Sequence, residues 1–186
     1  MLPMYLPNLY RGAVVAFISQ FLLACDNVYT LSKTIEQPLT FAQFEQMQGY
    51  PLDYDLYLPS PINFWSHTDK FKFSFEPETK IYWLKNIVLN KHVRDNNALN
   101  FKISNVDWHH QFGFGHMRIN PDESIFSVPE QGQIIFQLIY SSNASNLTLE
   151  LPHKTDANYV SFAIKVLDTS IKPQALLFVQ LSNKPI

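Results

Sequence analysis

Between Lys70 and Leu181 the apolar residues fall on every second position in run after run, and that period decides what the chain can build. Successive side chains of a strand point to opposite faces, so a period of two marks a strand with one buried face. Phe71, Phe73 and Phe75 alternate with Lys72 and Ser74, and Leu99, Phe101 and Ile103 lead an alternation through 99–106. Phe112, Phe114 and His116 share a face in 111–119, and Ile134, Phe136, Leu138 and Tyr140 share one in 133–140. Leu147, Leu149 and Leu151 form the next face, then Val160, Phe162, Ile164 and Val166. Residues 81–89 are apolar on both faces, as in a central strand, so Trp83 within them reads as core. Residues 125–128 and 174–181 complete the set. Glu76-Pro77-Glu78-Thr79, residues 94–97, Asn120-Pro121-Asp122-Glu123 and residues 129–132 read as turns. Helical patterns between the strands are missing, which argues against a doubly wound α/β fold. The expected fold is all-β: an antiparallel β-sandwich over 70–186, Ig-like or transthyretin-like, with one short N-terminal helix.

That helix is expected over 41–48. Thr40 and Gln43 have capping-box spacing, and Leu39 and Phe44 occupy the two positions of a hydrophobic staple. Phe41, Phe44 and Met47 would line one face, and Gly49 suits a C-terminal stop. Residues 50–69 place Pro51, Pro59 and Pro61 among Tyr50, Tyr54, Tyr57, Phe64 and Trp65. Proline cannot donate to a ladder, so this stretch reads as an extended segment laid over the domain by its rings.

Composition narrows the function classes. Hydrophobic residues make up 46% and aromatic residues 15%, enough for a full-sized core, while only 5 glycines argue against glycine-rich phosphate loops. A formal net charge of −2 provides no electrostatic case for nucleic acid or an anionic lipid surface. Nucleophilic catalysis finds no Gly-x-Ser-x-Gly elbow, and no enzyme activity is expected.

An apolar run from Gly12 to Ala24, led by Arg11, ends at Cys25, the only cysteine. It is too short to span a bilayer, which needs about 20 apolar residues. The sequence Leu22-Leu23-Ala24-Cys25 resembles the lipobox of a bacterial lipoprotein. The resemblance implies that residues 1–24 are a signal peptide and that Cys25 carries the lipid; the polar, unpatterned residues after it, to Pro38, read as a tether over 25–38. The resemblance places the domain at the periplasmic face of a membrane. Asp26 resembles an inner-membrane retention signal, which favours the inner over the outer membrane.

Two side-chain groups are candidate sites. Tyr50, Tyr54, Tyr57 and Trp65, beside Asp53 and Asp55, have the make-up of a glycan-stacking surface, although such rings more often cover a core. Asp107-Trp108-His109-His110 is followed by His116 and Met117, and imidazole is the commonest metal ligand. Adjacent histidines on a strand point apart, so His109, His110 and His116 are weak metal candidates and no tight site is expected. The reading that follows is a membrane-anchored, non-enzymatic accessory or scaffold subunit that binds another envelope protein and carries no cofactor. The alternative is a periplasmic module for glycan, peptidoglycan or metal.

Overall fold

The computed structural model describes residues 39–113, 125–129, 132–152 and 155–186, which fall within a unit formed by residues 35–186. In chain order the elements are helix α1 (Phe41–Gln46), strands β1 (Ser74–Glu76) and β2 (Ile81–Val88), and helix α2 (Lys91–Asn96). Strands β3 (Ala98–Phe101), β4 (Ile103–Ser104), β5 (Gln111–Gly113) and β6 (Ile125–Ser127) follow. Last come β7 (Gln133–Ser141), β8 (Leu147–Glu150), β9 (Tyr159–Val166) and β10 (Ala175–Ser182). The molecule is mostly β, as the period of two predicts.

One sheet has the order β1-β2-β9-β10-β7-β5-β4 and is antiparallel throughout. It curls until its two ends share a bridging residue. Tyr57 pairs with Ser104 in β4 and with Lys72, two residues before β1. The Tyr57 N–H donates to the Ser104 carbonyl at 2.8 Å, and the Leu58 N–H donates to the Phe71 carbonyl at 2.9 Å. A second sheet has the order β3-β8-β6. The chain passes from β3 in one sheet to β4 in the other across the single residue Lys102.

The parity of each strand sorts its side chains into two clusters. Val160, Phe162, Ile164 and Val166 of β9 and Ala175, Leu177 and Val179 of β10 enter the main core, as the alternation predicts. The second sheet covers them: the Phe101 and Phe162 rings are 5.1 Å apart, and Phe126 lies 4.5 Å from Phe136. Leu56 and Leu58, fully buried, bring the 50–69 segment into the same core. The opposite parity, Ile81, Ala163, Leu176 and Phe178, packs under Phe44 of α1. This explains why 81–89 is apolar on both faces. Trp83 lies in this outer cluster, 6.0 Å from the Phe41 ring, and not between the sheets.

The structure corrects several expectations. Among the described residues there are two α-helices, since 91–96 is helical where 94–97 reads as a turn. Asn90 caps α2 by accepting from the Val93 N–H at 3.0 Å, and Asn97 ends it in the left-handed region at φ 50°. Not every pair is antiparallel: β6 and β8 run parallel. The chain between them crosses to β7 in the other sheet and returns, so both strands start from the same end. The alternation at 71–75 holds for Phe71 and Phe73, both buried, but Asp69–Phe71 is a 3-10 turn and the strand proper starts at Ser74. The capping box of Thr40 and Gln43 forms, with the Thr40 N–H on Gln43 Oε1 at 2.9 Å. Gly49 serves space and not a left-handed cap: a Cβ there would stand 2.7 Å from the Lys80 carbonyl oxygen. Residues 114–119, with Phe114 and His116, lie outside the described residues.

Candidate functional site

The chain between Leu58 and His67 carries the most deliberately built surface feature. Pro61 opens a 3-10 turn at Pro61–Asn63, where a fixed φ is already suited to the first turn. Asn63, only 8% exposed, then holds the loop from inside. Its Oδ1 accepts from the Ser60 N–H at 2.8 Å, and its Nδ2 donates to the carbonyls of Leu58 and Ser66, each at 3.0 Å. Two consecutive aromatic residues follow in the left-handed region, Phe64 at φ 55° and Trp65 at φ 56°. That conformation costs about 1–2 kcal/mol per non-glycine residue. The Trp65 N–H donates to the Ser60 carbonyl at 2.8 Å and closes the turn. The outcome is a phenyl ring, Phe64, that is 90% exposed.

The base of this loop is an aromatic and imidazole panel. The His67 ring meets Tyr57 edge-on at 5.3 Å and Trp108 at 4.5 Å, and its Nε2 is 3.0 Å from Ser104 Oγ. Trp108 is again left-handed, φ 65°. The connection from β4 to β5 forces it: the Asn105 N–H donates to the His110 carbonyl, and Asn105 Oδ1 accepts from the His110 N–H, both at 2.9 Å. Gln111 Nε2 donates to the Trp108 carbonyl at 2.7 Å. Burial pushes the His67 pKa below the ordinary imidazole value, with Asp107 working in the opposite direction. Lys102 stands 5.9 Å from the Trp108 ring, donates to the Ala144 carbonyl at 2.8 Å, and is likewise lowered by burial.

A second group adjoins it. Tyr54 stacks on His110 at 4.2 Å with 16° between planes, and the Tyr140 hydroxyl is 3.1 Å from His110 Nδ1. The Tyr54 hydroxyl is buried with no hydrogen-bond partner among the described residues. Burial raises its pKa well above the usual phenol range, helped by Tyr140, Asp53 and Tyr82.

The two sequence candidates therefore meet, Tyr54 and Tyr57 from one and Trp108 and His110 from the other. Tyr50 and Trp65 join no ring pair among the described residues; Tyr50 is tied through its N–H to the Val166 carbonyl at 3.0 Å. His109 parts from His110: its Nδ1 is 3.2 Å from Asp107 in solvent. The slight burial of Asp107 would raise its carboxyl pKa. The His109 backbone N–H and ring, together with Asp107's own backbone N–H and the Asn105 side chain, outweigh this and hold it below the usual range. Among the described residues no three metal-ligating side chains converge, and His116 lies outside them, as does Cys25. Asp55 is paired with Lys72 at 2.6 Å.

Sequence reasoning passes over Phe64, His67 and Lys165 as site residues. Ser60-Pro61-Ile62-Asn63 is a readable start signal for a turn, yet nothing in it tells which ring the turn exposes. Lys165, fully buried in β9, donates through Nζ to the carbonyls of Glu45 at 2.6 Å and Met47 at 2.8 Å. It thereby satisfies carbonyls at the end of α1 and clips that helix to the sheet. No helix among the described residues is long and apolar enough to cross a membrane. Comparison with family models, with curated proteins and with solved structures returns no match to this chain.

Proposed function

We propose that this chain is a lipid-anchored, non-enzymatic accessory or scaffold subunit of a bacterial envelope assembly, and that it binds a partner protein through the loop at 60–66. The observation that carries the reading is Phe64: a ring 90% exposed, on a loop fixed by a buried asparagine and two left-handed aromatic residues. Strained backbone persists where the surroundings over-determine it, and such places cluster at binding sites. A rigid aromatic side chain makes a good anchor because little freedom is lost when it enters a partner's pocket. Ile171 is as exposed, at 92%, but lies in a β9–β10 connection with no left-handed residue, and single exposed aliphatics are ordinary.

The lipobox-like Leu22-Leu23-Ala24-Cys25 supports the address, with the inner membrane favoured by Asp26. An Ig-like or transthyretin-like sandwich is the finer reading of the fold, supported by the core that the two sheets share. The glycan alternative is weaker: Tyr54 gives a ring face to His110, and Tyr57 is engaged with His67. Detergent-extracted protein should migrate on a native gel within a larger assembly, and Phe64→Asp should release it without changing its melting temperature. Identical migration of both forms would count against the reading.

A further inference from the structure

The protein-binding reading leaves open what else of the partner is held, and the edge of the second sheet bears on this. Backbone groups of a strand point alternately to its two sides. The Leu151 N–H donates to the Asn97 carbonyl at 2.8 Å, so Asn97, Leu99 and Phe101 face β8. The Lys102 N–H points the other way, to the Pro59 carbonyl at 2.9 Å. The next rung of β8 obeys the same alternation, with the Glu150 carbonyl accepting from Val128 on the β6 side. Ala98 and Asn100 therefore turn their N–H and C=O groups away from β8, toward the gap that Pro59 closes at one end only.

That gap is a groove of about 360 Å³ between the 60–66 loop and α2. Pro61 and Ile62 line one wall, His92 and Asn96 the other, and Ala98 and Asn100 run along it. Among the described residues its lining holds no aspartate, glutamate, lysine or arginine, and His92 is its one titratable side chain. A charged side chain buried there would lose hydration without a counter-charge, so the lining suits an uncharged segment. Phe64 stands two residues beyond the Ile62 wall.

We propose that the open edge of β3 takes up a short, uncharged, extended segment of the partner protein as an added strand, paired with Ala98 and Asn100, while Phe64 anchors the complex beside it. This rests on the protein-binding reading and deepens it. Strand addition of this kind draws affinity from main-chain hydrogen bonds and selectivity from neighbouring pockets. An exposed strand edge is a standing template for such pairing.

The test is a phage-displayed library of random peptides about a dozen residues long, a length that more than spans the edge, panned on the detergent-extracted full chain. Selected peptides should be poor in charge. Each is then resynthesised with one backbone nitrogen methylated at a time. Strand pairing predicts that methylation weakens binding about tenfold or more at alternate positions and has little effect between them. On the protein side, Asn100→Pro removes an N–H that serves no ladder bond and should weaken binding similarly, with the thermal midpoint checked for intact folding. Should that variant fail to fold, the methylation pattern decides alone. No enriched peptide, or binding indifferent to methylation register, would overturn the proposal. If the native-gel assembly still depends on Phe64, the functional reading survives that failure; if it does not, both fall.

Discussion

At the scale of single residues, three buried or half-buried polar groups set testable energetics. The Tyr54 hydroxyl is buried without a partner among the described residues, and such a group costs about 1–3 kcal/mol. Tyr54→Phe keeps the stack on His110 and should therefore stabilise the fold by about 1 kcal/mol in urea unfolding; destabilisation would show that the hydroxyl is satisfied after all. His67 behaves differently with pH. Its folded pKa is lowered, so below the ordinary value near 6.5 the unfolded chain takes up a proton that the folded protein refuses. Stability should fall as pH drops through that window and stop falling once the folded imidazole is charged as well. Urea midpoints at about pH 7.5 and about pH 5.5 should separate less in His67→Gln than in the parent protein. Lys165→Met leaves the Glu45 and Met47 carbonyls without their donor and should weaken the docking of α1 by about 1–3 kcal/mol. Hydrogen exchange should report it as faster opening at 40–48, with the β9 and β10 amides little changed.

At the scale of elements, the sequence was legible where neighbours along the chain decide the outcome. The box of Thr40 and Gln43 and the alternation of 133–140, 147–151 and 160–166 depend on local spacing, and each reads true. What local spacing cannot show is where an element goes next. Leu99, Phe101 and Ile103 alternate without interruption, yet the chain changes sheets at Lys102, because Pro59 accepts the Lys102 N–H and Tyr57 takes Ser104 from a distant segment. Helix α2 has only six residues, too few to show a period, and its one local signal is the Asn90 cap. The meeting of Tyr54 with His110 and of His67 with Trp108 joins segments about forty or more residues apart, which spacing cannot encode. Gly49 shows the same limit. It looks like a helix stop, but its role is to let the chain pass the Lys80 backbone. Gly49→Ala should cost about 1–3 kcal/mol, read as a lowered melting temperature, because the backbone of Lys80 cannot yield as a side-chain tip would.

At the scale of the whole molecule, one core shared by two sheets carries the stability, and a fixed loop at its rim carries the proposed contact. Phe162, fully buried between the sheets, should cost about 3–5 kcal/mol when cut to alanine, with unfolding still a single transition. The address is separable from the fold: mass spectrometry should find an acyl group on Cys25, and Cys25→Ser should leave the membrane fraction while the β-domain folds as before. The most direct measurement concerns position 64. A photoreactive phenylalanine analogue placed there, in cells expressing the full chain, should yield one discrete protein adduct on illumination. The same analogue at Ile171 should give none, and adding Asn63→Ala, which frees the loop, should sharply reduce the adduct. Adducts of equal strength from both positions, only lipid on the residue at 64, or no adduct at all would contradict the account.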